Sequence, residues 1–270
     1  METSAPIGLF DSGVGGLSVM KEVRRFLPGE DLIYVADSKF CPYGEKTPGE
    51  IRERSSTIAK FLRSKGAKLI VVACNTASIA ALQYLREEFS LPFIGVEPAV
   101  KQAALYTKNK KVGVLATGLT LSGERFSSLV QRFAGGLTVI DQPCPGLVEK
   151  VEKGEVSSSG TENLVEKYLQ PLTAEGVDVV VLGCTHYPFL KPLVQKLVDP
   201  EVEVLDTGEP VARQTHRVLV EKSLLAPSFE GGREWFYTSG DPALVRPVIE
   251  KLWGSIGEGV AQIPTGFLIK

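Results

Sequence analysis

One nine-residue pattern recurs in this chain: GAKLIVVAC (Gly66 to Cys74) lies over GVDVVVLGC (Gly176 to Cys184) without a gap, at an offset of 110 positions. Glycine falls on glycine, Lys68 on Asp178 as the polar interruption, Ala73 on Gly183 and Cys74 on Cys184. A continuous Leu/Ile/Val run of this length reads as a strand covered on both faces, the habit of parallel sheets. A weaker echo lies upstream of each copy. IGLFDS (7 to 12) resembles VGVLAT (112 to 117), and in both a strand runs into a small hydroxyl residue before a glycine. Repetition at this spacing implies two related structural units in one chain.

The rest of the sequence keeps the same rhythm. Strands are expected at 7–10, 32–36, 69–73, 92–96, 112–116, 137–140, 179–183, 202–206 and 233–239. Amphipathic helices are expected between them, at 15–26, 48–64, 77–88, 123–133, 160–174 and 188–197. Strand and helix alternating in this way form βαβ units. The expected fold class is therefore α/β, with two pseudo-symmetric lobes, each a mainly parallel sheet flanked by helices, and an active site in the cleft between them. A seam near GVEPAV (95 to 100) puts the first lobe at 1–97 and the second at 98–207. The remaining segment reads as helix, strand and helix. That is too little for a third core, so 208–270 is assigned to the first lobe.

Composition narrows the function class. A net charge of -2 offers no basic field to a nucleic acid. METSAPIGLF lacks the basic and apolar regions of a signal peptide, and no apolar run approaches the roughly 18 residues of a membrane span. A cytoplasmic protein without a membrane partner is expected. Cys41, Cys74, Cys144 and Cys184 form no CxxC pair, so free thiols are the default.

In open parallel sheets, ligands bind beyond the carboxyl ends of the strands, where loops and helix N-termini converge. The chemically interesting residues fall there: Asp11 and Ser12; Cys74, Asn75 and Thr76; Thr117 and Thr120; Cys184, Thr185 and His186. DSGVGGLSV (11 to 19) has a dinucleotide look, but GxGxxG needs Gly or Ala where Ser18 stands. Zinc would need more than two histidines and scattered thiols provide, and a cysteine hydrolase leaves the second thiol unexplained. Each cysteine alone reads as a small buried hydrophobe. As a pair at duplicated strand ends, with a helix start beside each to lower the thiol pKa, they suit a different task. Two opposed thiols can move a proton from one face of a carbon to the other. Asp11, Glu152 and His186 are the candidate helpers.

DSGVGG, CPYG (41 to 44), ACNTA (73 to 77), PCPGLVEKVEKGE (143 to 155), GCTHYP (183 to 188) and FYTSGDP (236 to 242) occur in this order. With them the chain resembles the glutamate racemase family of the aspartate/glutamate racemase superfamily. The resemblance implies interconversion of L- and D-glutamate without pyridoxal phosphate, metal or other cofactor, supplying D-glutamate for peptidoglycan. It implies Cys74 and Cys184 as the two acid/bases, with Asp11 assisting Cys74, and Glu152 and His186 assisting Cys184. Glu149 competes for the Glu152 role, which the acid just before the Lys-Gly step favours. Asp11, Ser12, Tyr43, Gly44, Asn75, Thr76, Thr117, Thr120, Thr185 and His186 match substrate-binding positions. Leu119 departs from a common glycine in that hydroxyl-lined loop. A homodimer is implied as well. Ser12, Asn75 and Thr185 also read as helix caps, and Tyr43 as a turn residue after Pro42. Cys41 and Cys144 read as structural or neighbouring thiols, and His216 as a surface or packing residue. The rivals are a racemase or isomerase of aspartate, hydantoin or maleate, and a two-lobe amino-acid binder without catalysis.

Overall fold

Each of the apolar runs becomes a short strand in the computed structural model, which describes residues 2–133, 135–228 and 231–267. The chain starts with β1 (Ile7–Asp11), α1 (Leu17–Phe26) and β2 (Leu32–Ala36), followed by two single 3-10 turns, Ser38–Phe40 and Tyr43–Glu45. Then come α2 (Pro48–Ser64), β3 (Leu69–Val72), α3 (Asn75–Glu88) and β4 (Phe93–Gly95). The middle of the chain supplies α4 (Val100–Tyr106), β5 (Lys111–Ala116), α5 (Gly118–Leu121), α6 (Glu124–Phe133), β6 (Thr138–Pro143) and α7 (Leu147–Glu152). It continues through α8 (Ser159–Ala174), β7 (Val179–Leu182), a 3-10 turn at Tyr187–Leu190, α9 (Lys191–Leu197) and β8 (Glu203–Leu205). The last stretch holds α10 (Gly208–Glu221), β9 (Glu234–Thr238), α11 (Pro242–Trp253) and β10 (Val260–Gln262).

Two compact units result: Met1–Val96 with Gly208–Lys270, and Glu97–Thr207. The first carries a six-stranded sheet in the order β10-β9-β2-β1-β3-β4, the second a four-stranded sheet in the order β6-β5-β7-β8. Among the described residues, all pairings are parallel. The fold is α/β with two parallel sheets. The tail differs from the helix-strand-helix reading: β10 adds a strand to the edge of the first sheet, pairing Val260 with Phe236. Three residues, two of them exposed, carry no periodic signal of their own. β6 also runs on to Pro143 as a half-exposed edge strand rather than one covered on both faces. Proline is tolerated there because an edge strand leaves one row of N–H groups unpaired.

The duplication survives in three dimensions. Ile7 pairs with Leu69 in the first sheet as Val112 pairs with Val179 in the second. Ala73 N–H donates to Phe10 O, and Gly183 N–H to Leu115 O, each at 2.7 Å. Gly66 and Gly176 end the preceding helices with φ of 83° and 69°, the left-handed conformation that a helix C-terminus commonly adopts on glycine. One close approach is repeated too. A Cβ on Gly8 would meet Leu62, and one on Gly113 would meet Leu172, at 3.1 and 2.7 Å. Leu62 and Leu172 stand at the same offset as the two cysteines.

The polar interruptions diverge. Lys68 is fully buried and forms a 2.5 Å ion pair with Glu30, while also donating to the Thr3 carbonyl. A buried charge is tolerable only with such partners. Asp178 instead accepts from Thr107 Oγ1 and from the N–H groups of Lys108 and Asn109, which ties the loop before β5 to the sheet. Strands β1 and β3 are fully buried, as are β2 and β7, so continuous apolar runs were required of them.

Candidate active site

In the first unit, the strand ends gather a thiol, a hydroxyl and a carboxylate. Cys74 is the N-cap of α3, and its Sγ accepts from the Ala77 N–H at 3.5 Å. A helix N-terminus leaves backbone N–H groups without intrahelical partners and carries partial positive charge, so it favours the thiolate. Sγ also lies 3.9 Å from Ser12 Oγ, which donates in turn to Asp11 Oδ1 at 3.2 Å. Asp11 is fully buried and accepts from the N–H groups of Ser12 and Gly16 at 2.6 and 2.5 Å. These contacts tie its carboxylate to the glycine turn and connect it to Cys74 by way of Ser12. Asn75 follows, buried, with both side-chain amide atoms lacking a hydrogen-bond partner. A buried amide left unmatched is costly, and it suits a polar ligand arriving later. Thr76 is buried in the first turn of α3.

In the second unit, the duplicated strand end is built differently. No α-helix begins at Cys184. The chain turns instead, with Tyr187 N–H donating to Cys184 O at 3.0 Å, and only later enters α9. The helix start expected beside this thiol is thus replaced by a 3-10 turn, because Pro188 and Pro192 break the regular pattern of N–H donors. A histidine takes the helix's place. His186 Nδ1 lies 3.7 Å from Cys184 Sγ, and its Nε2 lies 2.6 Å from Glu152 Oε1. With Nε2 protonated toward the carboxylate, Nδ1 faces the thiol as a proton acceptor. A carboxylate in that position can select this tautomer and can stabilise an imidazolium. The side chains of Cys184, His186 and Glu152 lie in series, with each His186 ring nitrogen facing one neighbour.

Glu149 and Glu152 occupy different places on α7: Glu152 meets His186, while Glu149 Oε2 is buried without a hydrogen-bond partner. Thr117 caps α5, accepting from Thr120 N–H, and its hydroxyl donates to Thr120 Oγ1 at 3.0 Å. Thr185 is buried beside His186. Cys144 is buried and donates to Gln142 O at 3.2 Å; burial, and then the nearby Cys184, push its pKa upward. Tyr187 is raised for the same reasons in the same order. His216 of α10 lines a small cavity of the first unit with Phe26, Leu27 and Leu225.

Tyr43 and Gly44 lie in the second 3-10 turn. The Tyr43 hydroxyl donates to Asp37 Oδ2 at 2.6 Å, and Arg54 grips the same carboxylate through Nε and Nη2 at 3.1 and 2.9 Å. Sequence reasoning missed Asp37 and Arg54. A signal existed for the first: Asp37 directly follows the apolar run of β2, as Asp11 closes β1. Arg54 carried none, since it reads as one polar residue among several on α2.

The Asp/Glu/Hydantoin racemase family model matches residues 7–215. The glutamate racemase of Stutzerimonas stutzeri is 50% identical over 254 residues, covering 94% of this chain and 96% of that protein. The crystal structure of glutamate racemase isoform RacE1 from Bacillus anthracis superposes with a TM-score of 0.88 at 32% identity, covering 100% of both chains. The Escherichia coli glutamate racemase, solved in complex with L-glutamate and activator UDP-MurNAc-Ala, superposes with a TM-score of 0.84 at 33% identity. It covers 96% of this chain and 98% of that one. With its duplicated thiol strands, its parallel sheets and these matches over nearly its whole length, the chain belongs to the Asp/Glu/hydantoin racemase family, on the glutamate racemase branch.

Proposed function

We propose that this protein interconverts L- and D-glutamate by a two-base mechanism in which Cys74 and Cys184 serve opposite faces of the same α-carbon. The observation that carries the reading is the pair of thiols at duplicated strand ends, each supplied with its own proton-handling partners. One cysteine, as thiolate, takes the α-proton and becomes a thiol. The other, as thiol, returns a proton to the opposite face and becomes the thiolate. The proton count is then reversed, and the Ser12–Asp11 and His186–Glu152 contacts reset it between turnovers.

A free thiol has a pKa of about 8.5 and is only a few per cent ionised at neutral pH. Each thiol therefore needs an assisting group, and the proposed ones are the α3 N–H groups for Cys74 and the Glu152-backed imidazole for Cys184. The α-proton of an amino acid without an imine is very weakly acidic, so preorganised donors must hold the developing negative charge. Asn75, Thr76, Thr185 and the Thr117–Thr120 hydroxyls are the proposed contacts to the ammonium and carboxylates, with Tyr43 and Gly44 offering the turn backbone. The unmatched Asn75 amide supports this assignment.

The E. coli relative's complex with L-glutamate motivates the substrate. D-Glutamate made in the cytoplasm for peptidoglycan is the proposed output, and no cofactor takes part. A homodimer is proposed as the working form; the exposed apolar side chains of Leu105 and Tyr106 on α4 favour an associating surface. The deciding experiment incubates dialysed protein with L- or D-glutamate in D2O. Either enantiomer is expected to acquire deuterium at Cα, concentrated in the inverted product. Binding without exchange would leave an amino-acid binder, and faster exchange of aspartate would move the substrate.

A further inference from the structure

The first unit contains a buried ion pair that the proton chemistry does not use. Asp37 is fully buried and Arg54 nearly so, and the guanidinium meets the carboxylate through two nitrogens in the bidentate fork that fixes both planes. Two otherwise short, irregular turns hang on this pair. The Phe40 ring of the first turn lies 3.9 Å from Arg54 Cζ, in cation–π geometry. Tyr43 of the second turn is buried and donates its hydroxyl to Asp37. Neither turn has a side-chain cap of its own; Ser239 Oγ accepts from the Lys39 N–H at 3.2 Å in the first turn, and the ion pair anchors both turns through Phe40 and Tyr43.

Tyr43 also stands close enough to Cys74 for a thiolate there to disfavour its ionisation, behind the larger effects of burial and of Asp37. Its hydroxyl proton therefore stays on the oxygen and stays committed to Asp37. We propose that Asp37 and Arg54 are positioning residues for the Cys74 half of the active site: through Tyr43 and Phe40 they hold the 38–45 segment in the one arrangement that presents its backbone to an anionic substrate beside the thiol. The inference rests on the glutamate racemase reading for its substrate, and on the network alone for its effect on Cys74. A neutral hydrogen bond would hold Tyr43 less firmly, and a lysine in place of Arg54 cannot reproduce the fork.

Steady-state kinetics with both glutamate enantiomers, thermal melts and alkylation of Cys74 by iodoacetamide, located by peptide mass spectrometry, test the proposal in Arg54→Lys, Tyr43→Phe and the double variant. Expected are a KM raised roughly 5- to 20-fold in each single variant, a smaller change in kcat, and a Cys74 alkylation rate changed at least 3-fold. The double variant should be little worse than the poorer single one, as for two residues acting in one chain. Tyr43→Phe removes one hydroxyl and is the variant least prone to unfold, so a misfolded Arg54→Lys leaves the test standing on it. Unchanged KM and unchanged Cys74 alkylation in a folded Tyr43→Phe variant would overturn the proposal and leave the pair as packing. If the wild-type protein fails to racemise glutamate, the functional reading falls, and the alkylation rates alone decide the positioning role.

Discussion

Cysteine is a poor base at neutral pH until its surroundings change, and the two thiols here meet different surroundings. Cys74 has an N–H donor at 3.5 Å from the first turn of α3, whereas Cys184 has an imidazole at 3.7 Å. Replacing either by serine substitutes a hydroxyl far too weakly acidic for the task. Each single variant is expected to lose at least 10³-fold in kcat, measured by circular dichroism of the glutamate solution. Glu152→Gln keeps the shape but removes the charge that backs His186, and kcat is expected to fall roughly 10²-fold. Glu149→Gln, altering a carboxyl that does not meet His186, should stay within about 5-fold of wild type. A reversal of that order would transfer the helper role to Glu149. Cys74, Cys184 and His186 were legible as candidates at strand ends, and Glu152 through the resemblance, but the series arrangement of Glu152, His186 and Cys184 was not. Spacing of 32 positions between Cys184 and Glu152 says nothing about which atom of a ring faces which neighbour.

At the scale of elements, the long periodic segments were readable and the short ones were not. α2 and α8 repeat their apolar positions over several turns, and α2 adds a capping box between Thr47 and Glu50. α5 and α7 are four and six residues long, below the length at which a hydrophobic period can be recognised. Yet α7 is what carries Glu152 to His186. The duplicated strands bring out a second limit, since matched positions 68 and 178 face different polar neighbours. For Asp178, burial pushes the pKa up, but hydrogen bonds from Thr107 and from the Asn109 and Lys108 N–H groups outweigh it and hold the carboxyl below its usual range. A carboxylate depressed in the folded state contributes stability that is present above the unfolded pKa, near pH 4, and lost as pH falls through the lower folded value. Asp178→Asn should therefore cost about 1–2 kcal/mol at pH 7. It should also lose less further stability than wild type between pH 5 and 3, read from urea midpoints. Equal pH slopes would show that the loop anchor is not electrostatic.

For the whole molecule, the proposed two-base mechanism makes both units contribute to one equilibrium. L- and D-glutamate are mirror images, so their interconversion has an equilibrium constant of one, and kcat/KM in the two directions must match whatever is mutated. Glu152→Gln is an alteration confined to the second unit. It is expected to lower kcat/KM for both enantiomers by the same factor while making the substrate deuterium isotope effects unequal between directions. The unequal effects would appear because only the step using Cys184 has been slowed. Isotope effects that remain symmetric would indicate that His186 and Glu152 serve both proton transfers, and the division of labour between the units would have to be abandoned.

Amino-acid order alone determined the alternation of strands and helices, the duplication, and the strand-end placement of Cys74 and Cys184, because apolar periodicity and repeated motifs are local properties of the chain. The partners of those thiols were decided only in the folded state. Equivalent strands ended at equivalent cysteines, but the residues beyond them diverged, giving a helix N-terminus in one unit and a 3-10 turn with a carboxylate-backed histidine in the other. The Asp37–Arg54–Tyr43 network likewise joins a strand end, a helix and a turn. Its parts are up to 17 positions apart, and their meeting depends on how α2 packs over the sheet rather than on any pattern along the sequence.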